Sequence, residues 1–203
     1  LLMVNGKTLI EYNLDLAFDF VDEYVIVVNY LREKIKSYLG NDYKGKNINY
    51  VAQEELLGTG HALFSCKKYL DSDFVVLNGD DLIKKDDLQE LLPHRIGILS
   101  KEVQGNFSGG KILVDDNQKL IEIVEGDHQT GGLVNVGVYK LTPEIFEYEL
   151  VKIPDREEYG LPQTMVKLLD KHDIHITKST FLIQINDIEG LENARAYVGN
   201  KEN

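Results

Sequence analysis

A chain of 203 residues, 43% of them hydrophobic, is long enough for one well-packed core of ordinary domain size. With 22 basic against 34 acidic side chains its net charge of -12 repels a phosphate backbone, which argues against nucleic acid as a partner. No apolar run approaches the roughly 18 residues of a membrane span, no signal-peptide pattern is present, and a single cysteine cannot close an intramolecular disulfide, so a soluble protein of the reducing cytoplasm is expected.

The opening Leu1-Leu2-Met3-Val4 is apolar from its first residue, which leads us to expect an N-terminal segment before it. Ile10, Leu14 and Ala17 then recur at helical spacing, with Thr8 and Glu11 in capping-box relation. Glu23 to Val28 is a β-branched run of the kind buried in a parallel sheet, followed by a helix from Leu31 to Leu39 and a Gly40 stop. The alternation continues with strand Asn47 to Ala52, helix Gly60 to Leu70, strand Phe74 to Leu77, helix Asp86 to Leu92 and strand Arg95 to Leu99. Cys66, among Leu63, Phe64 and Leu70, reads as a buried structural thiol.

After Ser100 the pattern becomes α+β. Lys111 to Val114 and Leu120 to Val124 flank the polar turn Asp115-Asp116-Asn117-Gln118 as a hairpin. Strand Leu133 to Leu141, a short helix after Pro143, a helix through Leu161, Met165, Leu168 and Leu169, strands Ile174 to Lys178 and Phe181 to Ile185, and a helix from Ile188 to Val198 complete the series. The expected fold is α/β: a doubly wound, mostly parallel, Rossmann-like sheet with a small α+β lobe. Residues 1–100 would form a nucleotide-binding half of a single domain, and 101–203 a second half with a closing helix.

In open α/β sheets ligands sit beyond the carboxyl ends of the strands, and three segments fall there. Gln53 to Ala62 follows a strand and opens a helix. Gly58 and Gly60 allow close backbone approach to a ligand, or are ordinary turn residues. The Gln53 carboxamide offers a donor and an acceptor to the imide edge of a pyrimidine, and His61 reads as structural. Asn78-Gly79-Asp80-Asp81 ends an apolar strand in two carboxylates, placing Asp80 to hold Mg²⁺ against substrate phosphates, or else to cap the next helix. Gln184-Ile185-Asn186-Asp187 precedes a helix that Asp187 can cap, leaving Asn186 to face the crevice.

Together these segments resemble the sugar-1-phosphate nucleotidyltransferases, above all the uridylyltransferase domain of the bifunctional N-acetylglucosamine-1-phosphate uridylyltransferases. Leu1 to Lys7 is similar to the stretch after that family's proline-lysine motif, and Leu57-Gly58-Thr59-Gly60-His61-Ala62 is the most specific match. The resemblance implies that Gln53, Gly58, Thr59, Gly60 and Asn78 bind the nucleotide and that Asp80 is a catalytic metal ligand. It implies sugar contacts at Gly110, Glu125, Asn135 and Glu158. Asn186 corresponds to a second metal ligand, with Asp187 the alternative because other branches use an aspartate there. The chain departs from the pattern in two places: the glycine-rich loop and phosphate-gripping lysine would precede Leu1, and Gly126-Asp127-His128 follows Glu125 where a basic residue is usual.

The expected reaction joins a nucleoside triphosphate, UTP foremost, to a sugar 1-phosphate, releasing pyrophosphate, with Mg²⁺ as cofactor. Two rival readings are a non-catalytic nucleotide-sugar-binding module and a metal-dependent glycosyltransferase using Asp80 and Asp81. The latter usually carries two aspartates one residue apart, whereas these are adjacent.

Overall fold

The computed structural model of the chain describes residues 1–201; residues 202 and 203, the tail of the expected second half, lie outside the described residues. In chain order the elements begin with β1 (Met3–Val4), β2 (Lys7–Thr8), α1 (Leu9–Ala17), β3 (Tyr24–Val28) and α2 (Arg32–Leu39). They continue with β4 (Asp42–Tyr43), β5 (Lys46–Ala52), α3 (Gly58–Ser65), β6 (Phe74–Leu77), β7 (Asp81–Ile83) and α4 (Lys85–Leu91). β8 (Gly97–Val103), β9 (Phe107–Val114), β10 (Leu120–His128), β11 (Gly132–Leu141), α5 (Leu161–Met165), β12 (His175–Lys178), β13 (Leu182–Gln184) and α6 (Ile188–Lys201) complete it.

Local chemistry accounts for several boundaries. Thr8 and Glu11 close the expected capping box at the start of α1, each side chain bonding the other's backbone N–H. Asn5 and Gly6 both take positive φ, as a two-residue hairpin requires, and join β1 to β2, a pair too short to register as alternation in the sequence. Asp115 Oδ1 accepts the N–H groups of Asn117 and Lys119 at 2.8 and 2.9 Å and shapes the turn between β9 and β10. The helices expected to run to Leu70 and Leu169 instead tighten into 3₁₀ turns at Lys67–Tyr69 and Val166–Asp170.

The α/β class stands. β3 runs parallel to β5, and β12 runs parallel to β8. β11 lies between β6 and β8 and is antiparallel to both, so β6, β8 and β12 share one direction. β11 is therefore the reversed strand of an otherwise co-directional set. It also meets β9, whose antiparallel hairpin with β10 extends the sheet into the expected lobe. Among the described residues β3 pairs only with β5 and β6 only with β11, yet Leu77 of β6 packs with the cluster of Leu14, Ala17, Tyr24 and Ile48 beneath β3.

The largest core cluster lies between the sheet and α3 and α5, with Ile98, Leu141, Ile145, Met165 and Leu168 wholly buried. Each such side chain contributes about 1.5–3 kcal/mol of burial. On another side, Leu88 and Leu91 of α4 pack against Leu99, Val136 and Val138. Cys66 is buried as expected, and that burial pushes its thiol up to about 11, away from nucleophilic use. Among the described residues no helix is long and apolar enough to cross a membrane.

Candidate active site

A cleft of about 450 Å³ opens where β5 and β6 end. Gln53 enters it directly after β5 and Asn78 directly after β6. Gly58, Thr59, Gly110, Glu125, Asn135 and Glu158 also line it, so residues from distant parts of the chain meet in one cavity. Gly60, Asp80, Asn186 and Asp187 do not line it, whereas Gln184, two residues before Asn186, does.

At one end Gln53 is almost buried, its backbone held by Val28 and by the Asn29 side chain, which donates to the Gln53 carbonyl. Its Nε2 donates to the Gly58 carbonyl at 3.1 Å and meets His61 Nδ1 at 3.1 Å. The His61 ring, without a visible partner in sequence, thus has one in space. α3 begins at Gly58, inside the expected turn. A side chain at Gly58, at φ +91°, would place its Cβ 2.5 Å from the Tyr159 carbonyl oxygen, and one at Gly60 would crowd Leu150 and Tyr159. These glycines let the 158–161 segment close over the helix start, a structural use that the sequence left open beside close approach to a ligand. The Thr59 hydroxyl accepts the Leu161 N–H at 3.1 Å, and Gly60 N–H donates to Tyr159 O at 2.8 Å, completing that clasp.

The opposite wall is a shelf on three adjacent strands. Gly110 of β9 pairs with Glu125 of β10, and Asn135 of β11 follows the Val134–Lys111 pair. A Cβ at Gly110 would come 2.8 Å from Glu125 Oε1, so glycine keeps that carboxylate open. Between Asn135 and Tyr139, β11 bulges away from β8. Asn135 spans the bulge, accepting the Gly137 N–H at 3.0 Å and donating to the Tyr139 hydroxyl at 2.7 Å. Burial raises the Tyr139 phenol well above its usual range. Gly137, at φ +72°, leaves the space that the Asn78 amide occupies. The bulge thereby joins the two halves of the cleft.

The acidic end follows from β7, which was not anticipated. Because Asp81 opens that strand and Lys84 precedes α4 without a side-chain cap, neither aspartate caps the helix. Asp81 is 4% exposed and accepts from Asn78 Nδ2 at 3.2 Å; burial first, then the neighbouring Asp80 charge, push its carboxyl up to about 6. The Asp80 carboxylate makes no hydrogen bond or ion pair among the described residues. β13 pairs with β7, and Ile185 N–H donates to Asp80 O at 3.1 Å, one residue before Asn186. Asp187 Oδ1 accepts the Gly190 N–H at 2.8 Å and caps α6. Among the described residues no three His, Cys, Asp or Glu side chains converge to enclose a metal. An open carboxylate fits Mg²⁺, which binds few protein oxygens and takes the rest from phosphate and water.

Sequence reasoning missed Arg156, the one basic side chain among the described residues lining the cleft, and Gln163, whose buried Oε1 has no hydrogen-bond partner. The Pro154-Asp155 turn, with Asp155 at φ +59°, was the available signal for Arg156.

The pattern of the nucleotidyl transferase family matches residues 1–180. The bifunctional protein GlmU of Methanocaldococcus jannaschii is 34% identical over 173 residues, 84% of this chain and 41% of that protein. The D-glycero-alpha-D-manno-heptose 1-phosphate guanylyltransferase of Campylobacter jejuni is 30% identical over 145 residues, 70% of this chain and 66% of that protein. The chain thus spans about two-fifths of the length of the first of these relatives. Among solved structures, HddC from Yersinia pseudotuberculosis shares the fold with a TM-score of 0.71 at 24% identity, covering 97% of this chain and 88% of its own.

Proposed function

The chain belongs to the nucleotidyl transferase family, and from that premise we propose that its cleft joins a nucleoside triphosphate, UTP in our reading, to a sugar 1-phosphate. The observation that carries the proposal is the gathering of Gln53 and Asn78, from the ends of β5 and β6, with Gly110, Glu125 and Asn135 of the three-strand shelf around one cavity. The base would then sit by Gln53 and the sugar hydroxyls by Gly110, Glu125 and Asn135, with the phosphates between them.

In this reading a phosphate oxygen of the sugar 1-phosphate attacks the α-phosphorus. The new P–O bond forms as the bond to the bridging oxygen breaks, and pyrophosphate departs with that electron pair. Such transfer is governed by positioning and charge neutralisation rather than proton chemistry. Gln53 seats the base, Glu125 and Asn135 orient the sugar, and Arg156 supplies the cation toward the sugar phosphate that Gly126-Asp127-His128 lacks. Asp80 and Asn186 would hold Mg²⁺, which supplies Lewis-acid stabilisation of the charge building on the phosphates. The rival glycosyltransferase needs both aspartates on the metal; the burial of Asp81 and its bond to Asn78 support the nucleotidyl-transfer reading instead.

The reverse reaction tests the proposal. Incubated with a UDP-sugar, pyrophosphate and Mg²⁺, the protein should generate UTP and a sugar 1-phosphate, followed by ³¹P NMR. A panel of UDP-sugars yielding only UMP or UDP would refute it.

A further inference from the structure

The carboxamide of Gln53 is used asymmetrically. An amide nitrogen carries two N–H donors and its oxygen only acceptor sites. Here Nε2 lies 3.1 Å from the Gly58 carbonyl, an acceptor, so the nitrogen rather than the oxygen must stand on that side. The same Nε2 is 3.1 Å from His61 Nδ1, which must then accept, leaving the imidazole proton on Nε2 of the ring. Both amide donors are consumed inside the protein. Oε1 has no hydrogen-bond partner among the described residues, and Gln53 lines the cleft. Turning the amide about its last side-chain bond would set Oε1 against the Gly58 carbonyl, acceptor against acceptor, so the oxygen is the atom left to the cleft.

We propose that His61 is a positioning residue for base recognition: by accepting the second N–H of Gln53 it leaves the cleft a lone acceptor. The site thereby selects bases whose Watson–Crick edge carries a ring N–H over those with a bare ring nitrogen. Uracil, thymine and guanine present such an N–H. Cytosine and adenine place an acceptor there, and two acceptors facing each other in a partly buried site are penalised. This rests on the nucleotide-binding reading of the cleft given above. It gives the UTP of that reading a physical basis, a selection set by a single proton.

UTP and CTP carry the same sugar and triphosphate and differ only at the ring N3 and C4 groups, so their ratio of dissociation constants isolates the edge. GTP and ATP form a second pair with the same contrast in ring N–H. Titration calorimetry of the 203-residue chain with each nucleotide in Mg²⁺ should show UTP and GTP binding about tenfold to a hundredfold more tightly than CTP and ATP. His61→Leu, which removes the acceptor, should cut the UTP/CTP ratio by about tenfold, the worth of one such hydrogen bond. His61→Asn, whose side-chain oxygen stands in for Nδ1, should retain it, a rescue that a purely structural role for the ring would not give. In ¹⁵N NMR of the parent protein, His61 should be the Nε2–H tautomer.

A parent that binds all four nucleotides alike, a His61→Leu protein with undiminished selectivity, or a His61 ring protonated on Nδ1 would each overturn the inference while leaving the proposed reaction standing. Absence of binding by all four would overturn both.

Discussion

Ile185 donates its backbone N–H to the carbonyl of Asp80 at 3.1 Å, tying the last strand of the chain to the turn after β6. More than a hundred residues separate the two in sequence, yet this bond joins the backbone just before Asn186 to that of Asp80, while the Asp187 side chain caps α6. The two neighbouring residues consequently have separable effects. Asp187→Ala should lower stability by about 1 kcal/mol, or roughly 2–4 °C in Tm, with turnover largely kept. Asn186→Ala should leave Tm nearly unchanged and raise the Mg²⁺ concentration needed for half-maximal turnover. A reversed pattern would assign the ligand to Asp187.

Gly58 is required by the protein's own backbone. Its φ of +91° and the Tyr159 oxygen 2.5 Å from the position of a Cβ leave no room for alanine. Gly58→Ala should cost about 2 kcal/mol or more, combining left-handed strain with the displaced 158–161 segment. Urea denaturation measures this, and a loss under about 0.5 kcal/mol would show that the clasp over α3 yields easily.

Asp87 is 2% exposed and accepts from the Ser179 hydroxyl at 2.8 Å, the Thr180 hydroxyl at 2.9 Å and the Thr180 N–H. The turn from β12 to β13, the strand that carries Gln184 to the cleft, is bound to this carboxylate. Asp87→Ala leaves those donors without their charged acceptor and should destabilise the fold by about 3 kcal/mol. Its urea midpoint should fall with an unchanged slope; a midpoint equal to that of the parent would mean the turn is held by other contacts.

His94 and His175 stack with centroids 3.3 Å apart and planes 11° from parallel. Burial, then the His94 ring, hold the His175 pKa below its ordinary value of 6.5, with Glu90 opposing in part. The unfolded chain therefore takes up this proton more readily. The stabilising contribution is complete above the unfolded value and is lost as pH falls through about 6.5 toward the folded one. Thermal melts between about pH 8 and pH 5.5 should show a decline in Tm that is smaller in His175→Phe, which keeps a ring in the stack. Equal declines would remove the pair from the acid response.

Much of this was legible in sequence because its causes are local. The Thr8–Glu11 capping box, the β-branched run of β3 and the Asp115 turn each act within a few residues. The polar residues after β5 and β6 were also legible, since strand ends point to the crevice. β7 was missed because Asp81 looks like a helix cap until its pairing with Gln184 is known. The reversal of β11 has no local signal, as a buried strand reads alike in either direction. The bond from Gln53 to His61 escaped because eight residues separate a strand end from a helix face. Arg156 escaped because only the folded 153–160 loop swings it onto the cleft.

Nucleotidyl transfer is proposed for the Asp80 end of the cleft. Pyrophosphate release from UTP, Mg²⁺ and a panel of sugar 1-phosphates, measured for the parent protein and for Asp80→Ala, tests it most directly. Release should depend on one or more of the sugars and fall by about a thousandfold in the variant, the several kcal/mol that a metal contributes to such a step. Its Tm should stay close to that of the parent. Release by Asp80→Ala at a rate near that of the parent, or no sugar-dependent release by the parent at all, would contradict it.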